Sequence, residues 1–194
     1  MKNGAGCILA ALLMTFVAFG ANAQGNVKLA AAGAMERVSQ DRPFTGAPAA
    51  NISAAKNEVE SFQVIVTAEK GSVRIVNAGL SDLSGPGSAR IGRDAVSLFR
   101  AEYVRIRRST PRAELPPGLY PDPLVPFVNP VTGMPIEPKR QVRERWGGPI
   151  VTSGYEMYAL PFEVFRGQNQ PLWVDIHIPS DAAPGLYRGT FTVT

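Results

Sequence analysis

Cysteine and histidine are almost absent from this sequence. Its 194 residues include one cysteine, Cys7, and one histidine, His177. A structural zinc site takes four cysteine or histidine ligands, and a disulfide takes two cysteines. With one residue of each kind the chain can build neither, so we expect no cofactor and no transition-metal site. A calcium site made of oxygen ligands stays open, although no Asp-x-Asp-x-Asp loop occurs.

The motifs of common catalytic sites are missing as well. No Gly-x-Ser-x-Gly places a serine beside His177, and we interpret His177 and nearby Asp175 as a partly exposed pair on one strand face. The segment 85–87 lacks the Lys-Ser/Thr of a phosphate loop and is typical of a turn. Glu58 and Glu60, two residues apart, lie side by side on one strand face. They cannot flank a glycosidic bond as opposed carboxyl groups, so no catalytic residue is predicted.

Only one long apolar run is present, at the N-terminus. Residues 8–19 are apolar, Lys2 precedes them, and the small residues Ala21-Asn22-Ala23 follow. This arrangement predicts a signal peptide over residues 1–23, cleaved before Gln24, because the run is too short to span a bilayer. The alternative is a buried N-terminal helix. We expect a secreted or periplasmic protein with no integral membrane segment after cleavage.

The excess of positive charge is small. The chain has 20 basic and 16 acidic residues, a formal net charge of +4. Basic residues cluster over 105–112 and 139–145, with acidic residues between them. We interpret these clusters as a solvated strand face and a loop, the alternative being a surface for an acidic polymer or a membrane. Nucleic-acid binding is not expected, because no aromatic residues are interleaved with the basic ones.

Alternation of apolar and polar residues predicts an all-β fold. Residues 171–179 place Leu172 and its alternate neighbours on one face and Trp173 on the other, and residues 186–194 alternate in the same way. The strands predicted in this way are 52–55, 59–68, 73–83, 96–106, 155–165, 171–179 and 186–194. Residues 30–38 are the single helix candidate. Short strands separated by turns predict an antiparallel immunoglobulin-like β-sandwich over residues 24–194.

A long segment rich in proline and glycine, residues 111–149, interrupts the strand pattern. Its portion 120–126 carries three prolines, which predicts a stiff loop that presents Tyr120 and Asp122. Docking onto another domain, ordinary loop packing and sugar contact are the alternatives for this loop. Asn57 and Glu58 are predicted to bond backbone groups where a strand begins. Trp173 is predicted to be largely buried, as a tryptophan in a sandwich often is.

Four stretches carry a family resemblance when taken in order. They are residues 57–63 (Asn-Glu-Val-Glu-Ser-Phe-Gln), 120–126 (Tyr-Pro-Asp-Pro-Leu-Val-Pro), 168–175 (Gln-Asn-Gln-Pro-Leu-Trp-Val-Asp) and 184–190 (Pro-Gly-Leu-Tyr-Arg-Gly-Thr). Over roughly residues 52–194 the chain resembles the N-terminal β-sandwich domain of glycoside hydrolase family 123 and of related uncharacterised exported bacterial proteins.

The resemblance implies a downstream (β/α)-barrel that holds the active site. In family members that barrel acts on β-linked N-acetylgalactosamine by a substrate-assisted route with an Asp-Glu pair. None of the barrel lies in this chain, so no family catalytic residue transfers to it. Because the last strand runs to the final residue, we expect the front part of a longer protein. The implied function is a non-catalytic sandwich that braces the barrel, with that domain and carbohydrate as candidate partners. The alternatives are a free-standing carbohydrate-binding or surface-attachment module, and a structural spacer.

Overall fold

Strands make up nearly all the regular structure of this protein. The computed structural model describes residues 10–13, 15–16, 26–113, 116–136 and 158–194. Within them the strands are β1 (Ala10–Leu13), β2 (Thr15–Phe16), β3 (Val27–Gly33), β4 (Asn51–Ala54), β5 (Val59–Ala68), β6 (Val73–Ile75), β7 (Ala78–Leu80), β8 (Leu83–Ser84), β9 (Arg90–Ile91), β10 (Val96–Ile106), β11 (Gly118–Pro126), β12 (Phe162–Val164), β13 (Asn169–His177) and β14 (Thr190–Val193). One short 3-10 helix, Arg93–Ala95, is the only helix of this part of the chain. The all-β prediction is confirmed.

The largest sheet has five strands in the order β11-β10-β13-β5-β3. All its pairings are antiparallel, and β5 and β13 pair continuously from Val59 opposite His177 to Thr67 opposite Asn169. These two strands are buried over most of their length, which suits the centre of a sheet. The proline-rich β11 lies at the edge, where a missing backbone N–H costs no ladder bond. Around this sheet lie the smaller sheets β2-β14-β7, β12-β6, β8-β9 and β1-β4, in which only β2 and β14 run parallel.

The main core packs against one face of the five-stranded sheet. Alternate residues of β5 and β13 are buried there, and β14 contributes Phe191 and Val193, which are buried with them. The large buried side chains from the two central strands are Phe62, Val64, Val66, Leu172, Val174 and Ile176. The predicted inward face of residues 171–179 is therefore confirmed. The core is the contact between this face and the smaller sheets, so removal of apolar area from water holds the layers together.

The other face of the sheet is partly covered by the chain that follows β3. Ile65, which is fully buried, packs there with Ala32 and Val38, and Phe44 lies against them. The single helix candidate, residues 30–38, does not form a helix, because β3 pairs residue by residue with β5 and this pairing overrides the helix propensity of its alanines. Strand β3 is thus an edge strand of the main sheet.

The long loop expected over residues 111–149 is also wrong in part. Residues 118–126 form β11, which pairs with β10. Between Ala101 opposite Leu124 and Tyr103 opposite Pro121, two residues of β11 face one of β10, which is a β-bulge. This bulge accommodates Pro123 and explains why the alternation of both strands is irregular. Residues 114–115 and 137–149 of the predicted loop lie outside the described residues.

Two further strand predictions are confirmed only in part. The strand predicted over 73–83 is divided into β6, β7 and the start of β8. The predicted strand 155–165 contains β12, while residues 155–157 lie outside the described residues. Strands β1 and β2 fall inside the predicted signal peptide, most of which lies outside the described residues, and its cleavage stays a prediction. In the described part of the chain no helix has both the length and the apolar character needed to cross a bilayer.

Candidate functional site

Asn57 and Glu58 form the turn that leads into β5. Asn57 has a φ of 64°, in the left-handed region that asparagine tolerates better than most residues, and its N–H donates to the carbonyl of Ile178 at 2.8 Å. The Glu58 carboxylate accepts the N–H of Ala55 at 2.7 Å, and the Glu58 carbonyl accepts the N–H of Ile178 at 2.8 Å. Both residues therefore tie the start of β5 to the end of β13.

Tyr120 and Asp122 lie on the edge strand β11. The Tyr120 hydroxyl donates to the carbonyl of Pro116, which fixes the ring near the start of the strand. Both residues line a cleft of about 510 Å³, together with Arg37 and Arg108. Val125 of the same strand is buried, so part of the segment expected to form an open loop packs within its own sheet.

Trp173 lies on the face of β13 opposite the main core. Its neighbours across the sheet are Phe99 and Gln63, and it is only partly buried. The indole N–H donates to the carboxylate of Asp175, which also accepts the Ser61 hydroxyl at 2.6 Å. Strand alternation places Trp173 on the outward face, so the expected burial is met only in part: the side chain is neither fully buried nor exposed. There the ring is held at its edge by a polar group and keeps part of its surface in water.

The structure brings two of the five predicted residues together in a small cleft. Asp122 and Trp173 line a space of about 240 Å³, with Met35, Arg37 and Leu124 beside them. This cleft combines aromatic, apolar and charged groups, a mixture that suits a small polar molecule with an apolar face. Asn57 and Glu58 are not among its lining residues.

A larger polar cleft, of about 650 Å³, lies beside β10 and β12. In it the Arg100 guanidinium pairs with Glu102 at 2.6 Å and lies over the Phe162 ring, 5.5 Å from its centroid. Burial, and then the nearby Asp41 carboxylate, raise the pKa of Tyr103 well above its usual range. The phenol therefore stays protonated and donates to the carbonyl of Val38 at 2.9 Å. A charged hydrogen bond of this length is typical of a structural ion pair.

Three buried amides join parts of the fold, and motif reasoning did not single them out. The amide of Gln63, 3% exposed, donates to the carbonyls of Gly33 and Glu36, both at 2.8 Å. Asn169, 1% exposed, donates to the carbonyls of Ser39 and Arg42 at 2.8 and 2.7 Å. These two side chains fix the segment after β3 on the outward face, whereas Gln170, on the opposite face, donates to the carbonyl of Ala101 in β10 at 2.6 Å. Their only sequence signal was their position in the stretches 57–63 and 168–175.

Acidic, histidine and cysteine side chains do not gather anywhere in the described ranges. No group of three or more of them is placed there to hold a metal ion. The predicted residues Tyr120, Asp122 and Trp173 instead line two of the three clefts described above.

Part of the chain matches a known family model. Residues 125–194 match the family model described as the glycoside hydrolase 123 N-terminal domain. The resemblance to glycoside hydrolase family 123 is thereby confirmed. The matched region begins at Val125, near the end of β11, and contains β12, β13 and β14. It therefore includes Trp173 and the buried amides of β13.

A solved enzyme structure is also similar to this chain. A family 123 glycoside hydrolase from Clostridium perfringens, described in connection with glycolipid glycan hydrolysis, is similar at 16% identity with a TM-score of 0.46. The alignment covers 72% of this chain and 18% of that enzyme, so the chain spans less than a fifth of the enzyme's length. No curated protein matches the chain.

Proposed function

We propose that this chain is the non-catalytic N-terminal β-sandwich of an exported glycoside-hydrolase-like protein, and that it braces a catalytic domain that follows it. The observation that carries the proposal is the match of residues 125–194 to the glycoside hydrolase 123 N-terminal domain. The packing of one sheet face against smaller sheets supports an immunoglobulin-like sandwich, with residues 24–194 as its bounds. By the resemblance, the catalytic domain is a barrel that acts on N-acetylhexosamine glycosides.

The contacts of three carboxylates support a non-catalytic role. Glycoside hydrolysis needs two carboxyl groups that face each other across a sugar ring. The carboxylate of Glu58 closes a turn, that of Asp175 binds Ser61 and Trp173, and that of Glu102 pairs with Arg100. Each of these three groups already has a structural use.

We expect residues 24–194 alone to hydrolyse no glycoside. A panel of chromogenic N-acetylhexosaminides should give background rates with this fragment. The full-length protein, meaning the polypeptide that also contains the proposed catalytic domain, should give measurable turnover. The physical reason is that opposed carboxyl groups and the cleft that holds them belong to the barrel. Turnover by the fragment that disappears in Glu58→Gln or Glu60→Gln would contradict the proposal.

Export belongs to the same proposal. The apolar run over residues 8–19, followed by Ala21-Asn22-Ala23, supports secretion or delivery to the periplasm with a mature N-terminus at Gln24. An extracellular glycan would then be within reach of the catalytic domain.

The partly exposed Trp173 favours a second candidate function, a carbohydrate-binding module. An indole held at its edge by Asp175, beside Asp122 and Arg37, offers a face for a sugar ring and polar groups for its hydroxyls. Under this candidate, Trp173→Ala should weaken binding of an N-acetylhexosamine oligosaccharide about tenfold or more, measured by titration calorimetry. Phe165→Ala, which removes an aromatic ring 55% exposed in another cleft, is the matched control. No binding by the unaltered protein would exclude the candidate.

A further inference from the structure

A second, largely apolar cleft lies beside the end of β11. It has a volume of about 760 Å³. It is formed by β10, the turn between β6 and β7, several residues of the range 126–136, and Leu160 with Pro161. Its apolar lining includes Val76, Leu98, Phe99, Phe127, Ile136 and Leu160. Of the described residues that line it, none is charged. Water in such a cleft meets few hydrogen-bonding groups, so an apolar occupant is favoured over a sugar or an ion.

One wall of the cleft is a short hairpin formed by residues 127–136. Val128 and Pro135 form a β-bridge, and the Asn129 side chain accepts the N–H groups of Val131 and Thr132 at 2.8 and 3.2 Å. Gly133 has a φ of 67°, which a residue with a Cβ rarely adopts, and its N–H donates to the Asn129 carbonyl. The hairpin is thus fixed by its own backbone bonds, without help from apolar packing at its tip.

Large apolar side chains are unusually exposed around this cleft. Val131 is 91% and Met134 64% exposed at the hairpin tip, while Val128 is 47% and Val76 57% exposed on the cleft wall. Single exposed apolar residues are ordinary, but two of them on the wall of an apolar cleft and two more on the hairpin that borders it are typical of an interaction surface.

The end of the last strand lies beside this cleft. The Thr194 carbonyl accepts the N–H groups of Val76 and Asn77 at 2.7 and 3.0 Å, and the Thr194 N–H donates to the Asn77 carbonyl at 2.9 Å. Val76 and Asn77 both line the cleft. A domain joined after Thr194 would therefore begin at the rim of the cleft. Such tethering gives it a millimolar or higher effective concentration there, ahead of any free partner.

We propose that the apolar cleft and the 127–136 hairpin form the docking surface for the catalytic domain that follows Thr194. The inference rests on the proposed function, because that function supplies the domain. The docking surface expected at residues 120–126 stays a prediction: Pro126 of that segment lines the same cleft, while Val125 is buried within the sheet. The partner surface should be apolar and uncharged at its centre.

The test uses the full-length protein with Val131→Asp or Met134→Asp. Both side chains are well exposed in this domain, so a charge there should leave its own fold intact. A charge buried in a docked interface is unfavourable. We expect proteolysis between the two domains to accelerate about tenfold or more, and the radius of gyration from small-angle scattering to increase. Met35→Asp is the matched control, because Met35 is 94% exposed and lines a different cleft. It should change neither measurement.

The outcomes separate this inference from the function on which it rests. If a second domain is present but Val131→Asp and Met134→Asp behave like Met35→Asp, the docking surface is elsewhere and only this inference fails. If the unaltered protein forms a concentration-dependent dimer that Val131→Asp disrupts, the occupant is a second copy and the inference is again overturned. If the full-length polypeptide has no domain after Thr194, the proposed function fails with it.

Discussion

Replacing Phe191 with alanine is expected to lower the free energy of unfolding by about 3–5 kcal/mol. Phe191 is fully buried on β14, opposite Leu80 of β7, in the cluster that joins the smaller sheets to the five-stranded one. Removing the ring takes apolar area out of the core and leaves a cavity, because the strands on either side are held in register and cannot collapse into it. Urea unfolding followed by circular dichroism measures the change.

Trp173→Ala is the matched comparison for this result. The ring of Trp173 is as large as any in the chain, but it lies on the outward face and only part of it is buried. We expect a loss of about 1–2 kcal/mol, made up of partial burial and the bond to Asp175. Equal losses for Trp173→Ala and Phe191→Ala would show that Trp173 is a core residue, as its neighbours in the sequence suggested.

The central strands could be predicted from sequence because their signal is local. In β5 and β13 the alternation of apolar side chains decides both the strand and the face that is buried, and the structure confirms both for residues 171–179. Strand β3 carries three alanines in succession, which favour a helix locally, and becomes a strand only through pairing with β5. Strand β11 holds three prolines, and only its position at the sheet edge makes them acceptable.

Less of the candidate site could be predicted, because several of its contacts join residues far apart in the sequence. Glu58 bonds to a backbone group three residues away, so a local reading of the sequence could place it. The amide of Gln63 bonds to a carbonyl 27 residues away, and that of Asn169 to one 130 residues away. No pattern of neighbouring residues contains such contacts, because they are set by how the chain after β3 returns over the sheet. The hairpin 127–136 escaped prediction since its exposed valine and methionine follow no strand period.

The second large effect is expected from Asn169→Ala. Asn169 accepts the Thr67 hydroxyl at 2.7 Å and donates to the carbonyls of Ser39 and Arg42. Alanine would leave two backbone carbonyls and a hydroxyl without this partner, at a site where water has little access. Each buried polar group that loses its partner costs about 1–3 kcal/mol, so we expect a loss of about 2–4 kcal/mol in the free energy of unfolding. Thr67→Val, which removes one of the three bonds, should cost clearly less.

The same substitution should release one segment before the rest of the fold. The bonds that Asn169 donates fasten the chain after β3, whereas the main core lies on the opposite face of the sheet and keeps its packing. Local opening of that chain should therefore become frequent without global unfolding. Trypsin reports it directly, because Arg37 is exposed and lies in the segment, whereas the bond after Arg42 precedes Pro43 and resists the enzyme. Cleavage after Arg37 should accelerate much more in Asn169→Ala than in Phe191→Ala at equal loss of global stability. If both variants were cleaved alike along the whole chain, Asn169 would be stabilising the fold as a unit, and the segment would be held by its apolar contacts with Ile65 and Val38 instead.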